Sequence, residues 1–247
     1  MPATPVHFDS RIGTEFLRYA RLVAGRGYIH NTLGNMAVRA PHPDFPDGVA
    51  YTKHAGISLE EMGVENIVIT EIATSRLLYG SRTTSIGHNL NREILRWRPD
   101  INAVIHVHDD ASIAFFGAGY NEVRVLSLDL PFVLGKPPYY LPAHVDVEAD
   151  VGPVKDFIAS TNLIVLVGHG LTALGRTLSE AYHRLNSFTA EVRRNIEAEK
   201  LAALAGRRPA YRSQAEIRLM HEHAEAIINP TRAEGVMAGE PPKAAAE

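Results

Sequence analysis

Histidine is the residue type through which this chain is best equipped to do chemistry: it has 12 in 247 residues, and no cysteine. Imidazole is the commonest protein metal ligand and the side chain that titrates nearest neutrality. Without cysteine there is no disulfide, no thiolate metal site and no thiol nucleophile. Two histidines stand in the segment Val104-Ile105-His106-Val107-His108-Asp109-Asp110. In an extended strand, side chains two apart share a face, so His106 and His108 can reach one ion. Two polar residues where an apolar strand ends can equally be solvated, and spacing alone leaves both readings open. His169 adds a third imidazole, set between Gly168 and Gly170 directly after an apolar stretch. Flanking glycines permit unusual dihedrals and close backbone approach, as a site at a strand end requires; a turn histidine without a partner is the alternative. Three neutral imidazoles, with a position left for water or substrate, suit one catalytic divalent ion per chain: Zn²⁺, Mn²⁺ or Fe²⁺. Gly34-Asn35 and Thr52-Lys53-His54-Ala55-Gly56 are turn-forming sequences. The second can offer backbone N–H groups to an anion, although Lys53 and His54 suit a carboxylate better than a phosphate.

These residues need elements to hold them. Asp9 and Ser10 can cap a first helix whose apolar residues Phe16, Leu17, Ala20, Val23 and Ala24 recur at helical spacing, with Gly25 and Gly27 to stop it. Strands are expected at 36–39, 48–52, 67–72, 103–107 and 163–167, where short apolar or β-branched runs are bounded by turn residues. Helices are expected at 89–97, 110–116, 179–205 with Ser179 as cap, and 214–228. The pattern reads as one α/β domain over 1–230, followed by a frayed Ala-, Gly-, Pro- and Glu-rich tail at 231–247.

Composition removes several function classes. Hydrophobic residues at 45% and charged residues at 21% are those of a globular fold, which excludes a disordered or low-complexity chain. A net charge of −3 offers no basic field for nucleic acid. No apolar run approaches the ~20 residues of a membrane span, and no charged-then-apolar leader opens the sequence, so a cytoplasmic protein is expected.

The order of the motifs resembles one family. Gly34-Asn35, then Thr52 and Gly56-Ile57-Ser58-Leu59-Glu60-Glu61-Met62, then the run from Arg98-Pro99-Asp100 to His106-Val107-His108, then Val167-Gly168-His169-Gly170, is similar to the class II aldolase/adducin family over roughly 10–205. The resemblance implies a three-layer α/β/α sandwich around a mainly antiparallel sheet. It implies a divalent metal on His106, His108 and His169, and a homotetramer with sites for a small molecule at subunit interfaces. It also implies substrate contacts from Gly34, Asn35, Thr84 and Ser85. Aldolases of the family carry a Ser-Ser-Glu element whose Glu handles protons; its register here falls on Gly87, inside Thr84-Ser85-Ile86-Gly87-His88-Asn89, where there is no carboxylate. His88, beside it, is then a proton donor, an extra ligand or an ordinary helix-start residue. Tyr211 resembles the tail tyrosine that some family aldolases add to the site.

The missing carboxylate bears on the reaction. Decarboxylation needs no base to deprotonate a hydroxyl, because carbon dioxide leaves unaided and only a proton donor is then required. The reading is therefore a metal-dependent carbon–carbon lyase, a decarboxylase of a hydroxylated aromatic or heteroaromatic carboxylate acting through an enolate that the ion stabilises. A sugar-phosphate aldolase or epimerase, and a non-haem iron oxygenase of aromatic hydroxy-acids, are the alternatives. A non-enzymatic adducin-type module fits less well, because such domains lose the metal histidines and this chain keeps all three.

Overall fold

The computed structural model describes residues 5–233. In chain order the elements are α1 (Ser10–Gly25), β1 (Asn35–His42), β2 (Phe45–Lys53), β3 (Ile67–Glu71), β4 (Leu77–Tyr79), α2 (His88–Trp97), β5 (Ala103–Val107) and α3 (Asp110–Gly117). There follow α4 (Asp129–Leu134), β6 (Tyr139–Leu141), α5 (Gly152–Lys155), β7 (Leu163–Leu166), β8 (Gly170–Gly175), α6 (Leu178–Leu204) and α7 (Gln214–Ala233). All the strands join one sheet in the order β4-β3-β2-β1-β5-β8-β7-β6. Neighbours run antiparallel except for β6 beside β7. The mainly antiparallel α/β sandwich implied by the motifs is the fold the chain adopts.

Two apolar layers sandwich the sheet. On one side α1, α3, α4 and α6 bring Phe16, Phe116, Leu130, Leu185 and Phe188 onto Ile105 and Val107. On the other, α2 and α5 bring Leu90, Ile94, Leu95 and Val154 onto Val104 and Leu174. Strand β5 lies between β1 and β8, with every residue buried. A strand covered on both faces reads as an unbroken apolar run, which is why this one is plain in the sequence. Alternation along β5 then puts His106 on the same side as Val104, the side covered by α2.

Element ends follow local chemistry. The Asp9 carboxylate accepts from Arg11 N–H at 2.8 Å and caps α1 as expected. Helix α6 begins earlier than expected: Thr177 Oγ1 accepts from Glu180 N–H at 3.1 Å, so Thr177 is the cap and Ser179 lies inside the helix. Three strands had no sequence signal. β4 and β6 are short, and Gly170-Leu171-Thr172-Ala173-Leu174-Gly175 holds only one β-branched residue between its glycines. The Arg98 side chain is a buried clamp, donating to Ile158 O at 2.7 Å and Thr161 O at 2.8 Å while paired with Asp100 at 2.7 Å. That motif serves the fold and not the site. Of the tail expected at 231–247, residues from 234 onward lie outside the described residues. Among the described residues no helix is long and apolar enough to cross a membrane.

Candidate metal centre

The last rungs of β5 and the first of β8 meet at one end of the sheet, with His106 opposite Thr172 and Val107 opposite Leu171. His169 occupies the turn between β7 and β8, where Gly168 takes a left-handed φ of 76°. The next residue must be glycine for a packing reason: a Cβ on Gly170 would lie 2.2 Å from the Val107 carbonyl oxygen. This close approach carries His169 to the strand end that holds His106 and His108. Each of the three histidines offers a ring nitrogen, and all three nitrogens lie within 4.8 Å of one another.

The geometry fits a metal ion. Nε2 of His106 and Nε2 of His108 stand 3.1 Å apart. Two nitrogens each about 2.0–2.1 Å from one ion are separated by about 3.0 Å at right angles and 3.4 Å in a tetrahedron, so this pair suits either arrangement. Nδ1 of His106 meets Thr172 Oγ1 at 2.9 Å. With Nδ1–H donated to that hydroxyl, Nε2 keeps its lone pair for an ion, the usual arrangement behind a ligating histidine. Nε2 of His169 is buried with no hydrogen-bond partner among the described residues. Burial and the neighbouring imidazoles hold His106 well below its ordinary pKa. His108 is lowered to about 4, first by burial, then by His169 and His30. With two of the rings held neutral by burial and all three turned toward one point, the group could hold a divalent ion.

Adjacent groups set the direction of the chain. Asp109, fully buried, accepts from Ser112 N–H at 2.9 Å and Ser112 Oγ–H at 2.7 Å, capping α3, and pairs with Arg193 at 3.2 Å. His108 N–H donates to the Tyr28 carbonyl at 3.2 Å, which pins the loop before β1 against the site. A cavity of about 370 Å³, walled by Val145, Asp146, Glu148 and Leu166, opens beside His169.

The other expected site residues are placed differently. Asn35 pairs with His106 across β1 and β5, and its Oδ1 accepts a hydrogen bond from Asn91 of α2, so Gly34-Asn35 borders the centre. Lys53, expected at the substrate, is placed in the interior. Its Nζ is buried and donates to the carbonyls of Ile57, at 2.6 Å, and Thr32, tying two loops together, and burial lowers its pKa to about 8. His54 is also spoken for, with Nδ1 on Ala55 O at 2.6 Å and Nε2 on Asn66 Nδ2 at 3.0 Å. Thr84 forms a backbone bridge with His54, and the buried Ser85 Oγ has no partner among the described residues.

The structure places the expected proton donor, His88, in the core. Its ring is fully buried, Nε2 meets Thr70 Oγ1 at 2.9 Å, and burial with Arg92 nearby pushes its pKa down to about 3. Thr70 lies on β3, and β2 and β1 separate β3 from β5. At about 4.8 Å per strand the ring is displaced sideways from His106 by more than ~10 Å. Tyr211 donates to Glu199 at 2.6 Å and lies under Arg124, whose guanidinium carbon is 3.8 Å from the ring centre; within this chain these are its partners. The residue that sequence reasoning missed is His30, which faces Asp110 at 3.0 Å beside His108. Its signal was its place in the loop that leads into Gly34-Asn35.

Residues 14–193 match the model of the Class II Aldolase and Adducin N-terminal domain. L-fuculose phosphate aldolase of Methanococcus maripaludis is 27% identical over 173 residues, covering 68% of this chain and 87% of the aldolase. Human gamma-adducin is 28% identical over 164 residues, covering 61% of this chain and 22% of the adducin. Among solved structures, an aldolase II superfamily protein from Pseudomonas syringae superposes with a TM-score of 0.73 at 20% identity, over 92% of this chain and 90% of that one, a likeness of fold.

Proposed function

This chain belongs to the class II aldolase and adducin family, and from that premise we propose that it is a metal-dependent lyase that breaks a carbon–carbon bond in a small molecule. The observation that carries the proposal is the convergence of three imidazoles at one strand end. His106, His108 and His169 would hold the ion. A divalent ion bound there supplies Lewis acidity to an oxygen on which negative charge develops, worth several kcal/mol at the transition state. Thr172 keeps the His106 tautomer, and Asp109 holds the backbone direction just past His108.

Within that class we favour decarboxylation of a hydroxylated aromatic or heteroaromatic carboxylate. Support comes from the position at which the resemblance places an acid/base glutamate in aldolases. It is Gly87 here, and a Cβ on Gly87 would lie 2.4 Å from Asn35 Nδ2, so a side chain at this position would require Asn35 to shift. The loop groups expected to bind an anion are turned to other partners, since Lys53 and His54 are satisfied by backbone and Asn66. A phosphorylated sugar therefore has less to hold it. The cavity beside His169 is of a size for a small molecule. A homotetramer is part of the same proposal.

The test is elemental analysis of the protein purified without added metal, followed by carbon dioxide release over a panel of hydroxyaromatic carboxylates. Near-stoichiometric Zn, Mn or Fe with release from a panel member supports the proposal. Aldehyde release from a ketose phosphate in its place makes the protein an aldolase, and oxygen uptake makes it an oxygenase. Absence of bound metal under all loading conditions would remove it from the enzymes of the family.

A further inference from the structure

With glycine at position 87 and His88 buried, the expected acid/base position offers no group open to a substrate. A further histidine stands at the same strand end. His108 N–H bonds the Tyr28 carbonyl, and two residues further along each segment His30 Nε2 meets Asp110 Oδ2 at 3.0 Å. The His30 and Asp110 side chains are 49% and 77% exposed, so this imidazole, unlike that of His88, is open to a bound molecule. The pairing also selects a tautomer. Nε2–H donates to the carboxylate, which leaves Nδ1 as the nitrogen for a second partner. An imidazole braced in this way by a carboxylate is the arrangement used where histidine moves protons in catalysis.

We propose that His30 is a catalytic residue of this centre, exchanging a proton with the substrate through Nδ1, and that Asp110 is its positioning residue. The proposal rests on the decarboxylating reading given above. With both ring nitrogens protonated, His30 gives its Nδ1 proton to the ring carbon that bears the carboxylate, while the substrate hydroxyl, its proton released to water, forms a carbonyl. The bond from that carbon to the carboxylate then breaks, its electron pair passes into the enolate and restores the aromatic ring, carbon dioxide departs, and the imidazole is reprotonated by water. No oxidant, reductant or further co-reactant is required. His30 lies on the loop between α1 and β1, whose Tyr28 carbonyl is bonded to the His108 backbone, so its ring and the ligand set are held in register by the fold.

The test compares the metal-loaded full chain with His30→Ala, His30→Gln and Asp110→Asn. Three readouts are taken: metal content, turnover of the panel member that the unaltered chain decarboxylates, and affinity for oxalate, a dianion that mimics an enolate, at concentrations that leave the ion bound. All variants are expected to keep their metal. His30→Ala should lose about 10²–10⁴-fold in kcat, partly restored by free imidazole. It should also bind oxalate about tenfold or more weakly, the loss of one hydrogen bond to a charged group. His30→Gln, which hydrogen-bonds but transfers no proton, should keep most oxalate affinity and lose turnover; Asp110→Asn should lose less than His30→Ala. Unchanged kcat in His30→Ala overturns the proposal, as does a loss that tracks metal content and that imidazole does not restore. If no panel member releases carbon dioxide, the decarboxylating reading fails; oxalate affinity unaltered by His30→Ala overturns the role of His30 without reference to any substrate.

Discussion

His106 and His88 are both buried imidazoles on the α2 side of the sheet, and they lead to opposite conclusions. Around His106, the rings of His108 and His169 turn their nitrogens inward to a common point. Beneath α2, the His88 ring gives one nitrogen to Thr70, and its buried Nδ1 meets nothing among the described residues. Burial depresses both groups, His108 to about 4 and His88 to about 3. Desolvation and an unpartnered nitrogen are therefore common to a ligand set and to a core histidine. What separates them is convergence, which follows from the supporting elements: adjacent rungs of β5 and β8 bring side chains together, whereas a helix start over β3 meets a single hydroxyl.

The sharpest way to break this contrast is to remove a ligand from one side and the ring from the other. His106→Ala should take metal content from about one ion per chain to near none, with activity lost alongside, while His88→Gln keeps its metal. Elemental analysis of the two preparations decides the matter; metal retained by the first or lost by the second contradicts the assignment.

The next largest effect is on stability in acid. The unfolded chain protonates His88 near the ordinary imidazole value of 6.5, whereas the folded chain resists protonation until about 3. Between these values the unfolded state binds more protons, so stability is full above 6.5 and falls as pH drops toward 3, by on the order of 4–5 kcal/mol from this residue. In urea titrations of the metal-free protein, the midpoint should drop less between neutrality and mild acid in His88→Gln than in the unaltered chain. Parallel pH dependence in the two would show that His88 is not held neutral by burial.

Thr172→Val should act on the metal side alone, leaving the His106 Nδ1–H without its acceptor. Loss of such a partner typically weakens metal binding about 10–100-fold, read by competition with a chelator, and an unchanged Kd would mean that the ladder alone orients the ring. The smallest effect belongs to Lys53, a third buried base with neither convergence nor a carboxylate. Its pKa is lowered from 10.5 to about 8, so stability should rise as pH climbs between those values, and this rise should be absent in Lys53→Met. Thermal melting of both proteins across that window checks the sign.

Legibility in the sequence divided along the same line. The apolar run at 103–107, the period of two that aligns His106 with His108, and the glycines around His169 are local signals, and each led to the centre. Strand β8 was not legible, because its side chains are mostly small or unbranched and only its pairing with β5 makes it a strand. His88 misled because adjacency to the expected carboxylate position says nothing about which way a helix start turns its ring. His30 escaped notice because its partner, Asp110, lies far along the chain and is brought to it by the contact between Tyr28 and His108. Lys53 looked like an anion contact until the carbonyls of Thr32 and Ile57 accounted for its ammonium group.

The pairing of Val107 with Leu171 and of His106 with Thr172 belongs to an antiparallel ladder between two strands buried in an apolar core. The three histidines are thus positioned by backbone hydrogen bonds and packing. In small zinc domains, by contrast, ion capture and folding are one event, and a chelator unfolds the chain. A ligand set carried by buried strands would be in place without the ion, and three imidazoles accept several divalent ions in the Irving–Williams order. The ion held at such a centre would then record which free ions surround the folded protein, so expression in media of different trace-metal content should yield the same fold with different metal content.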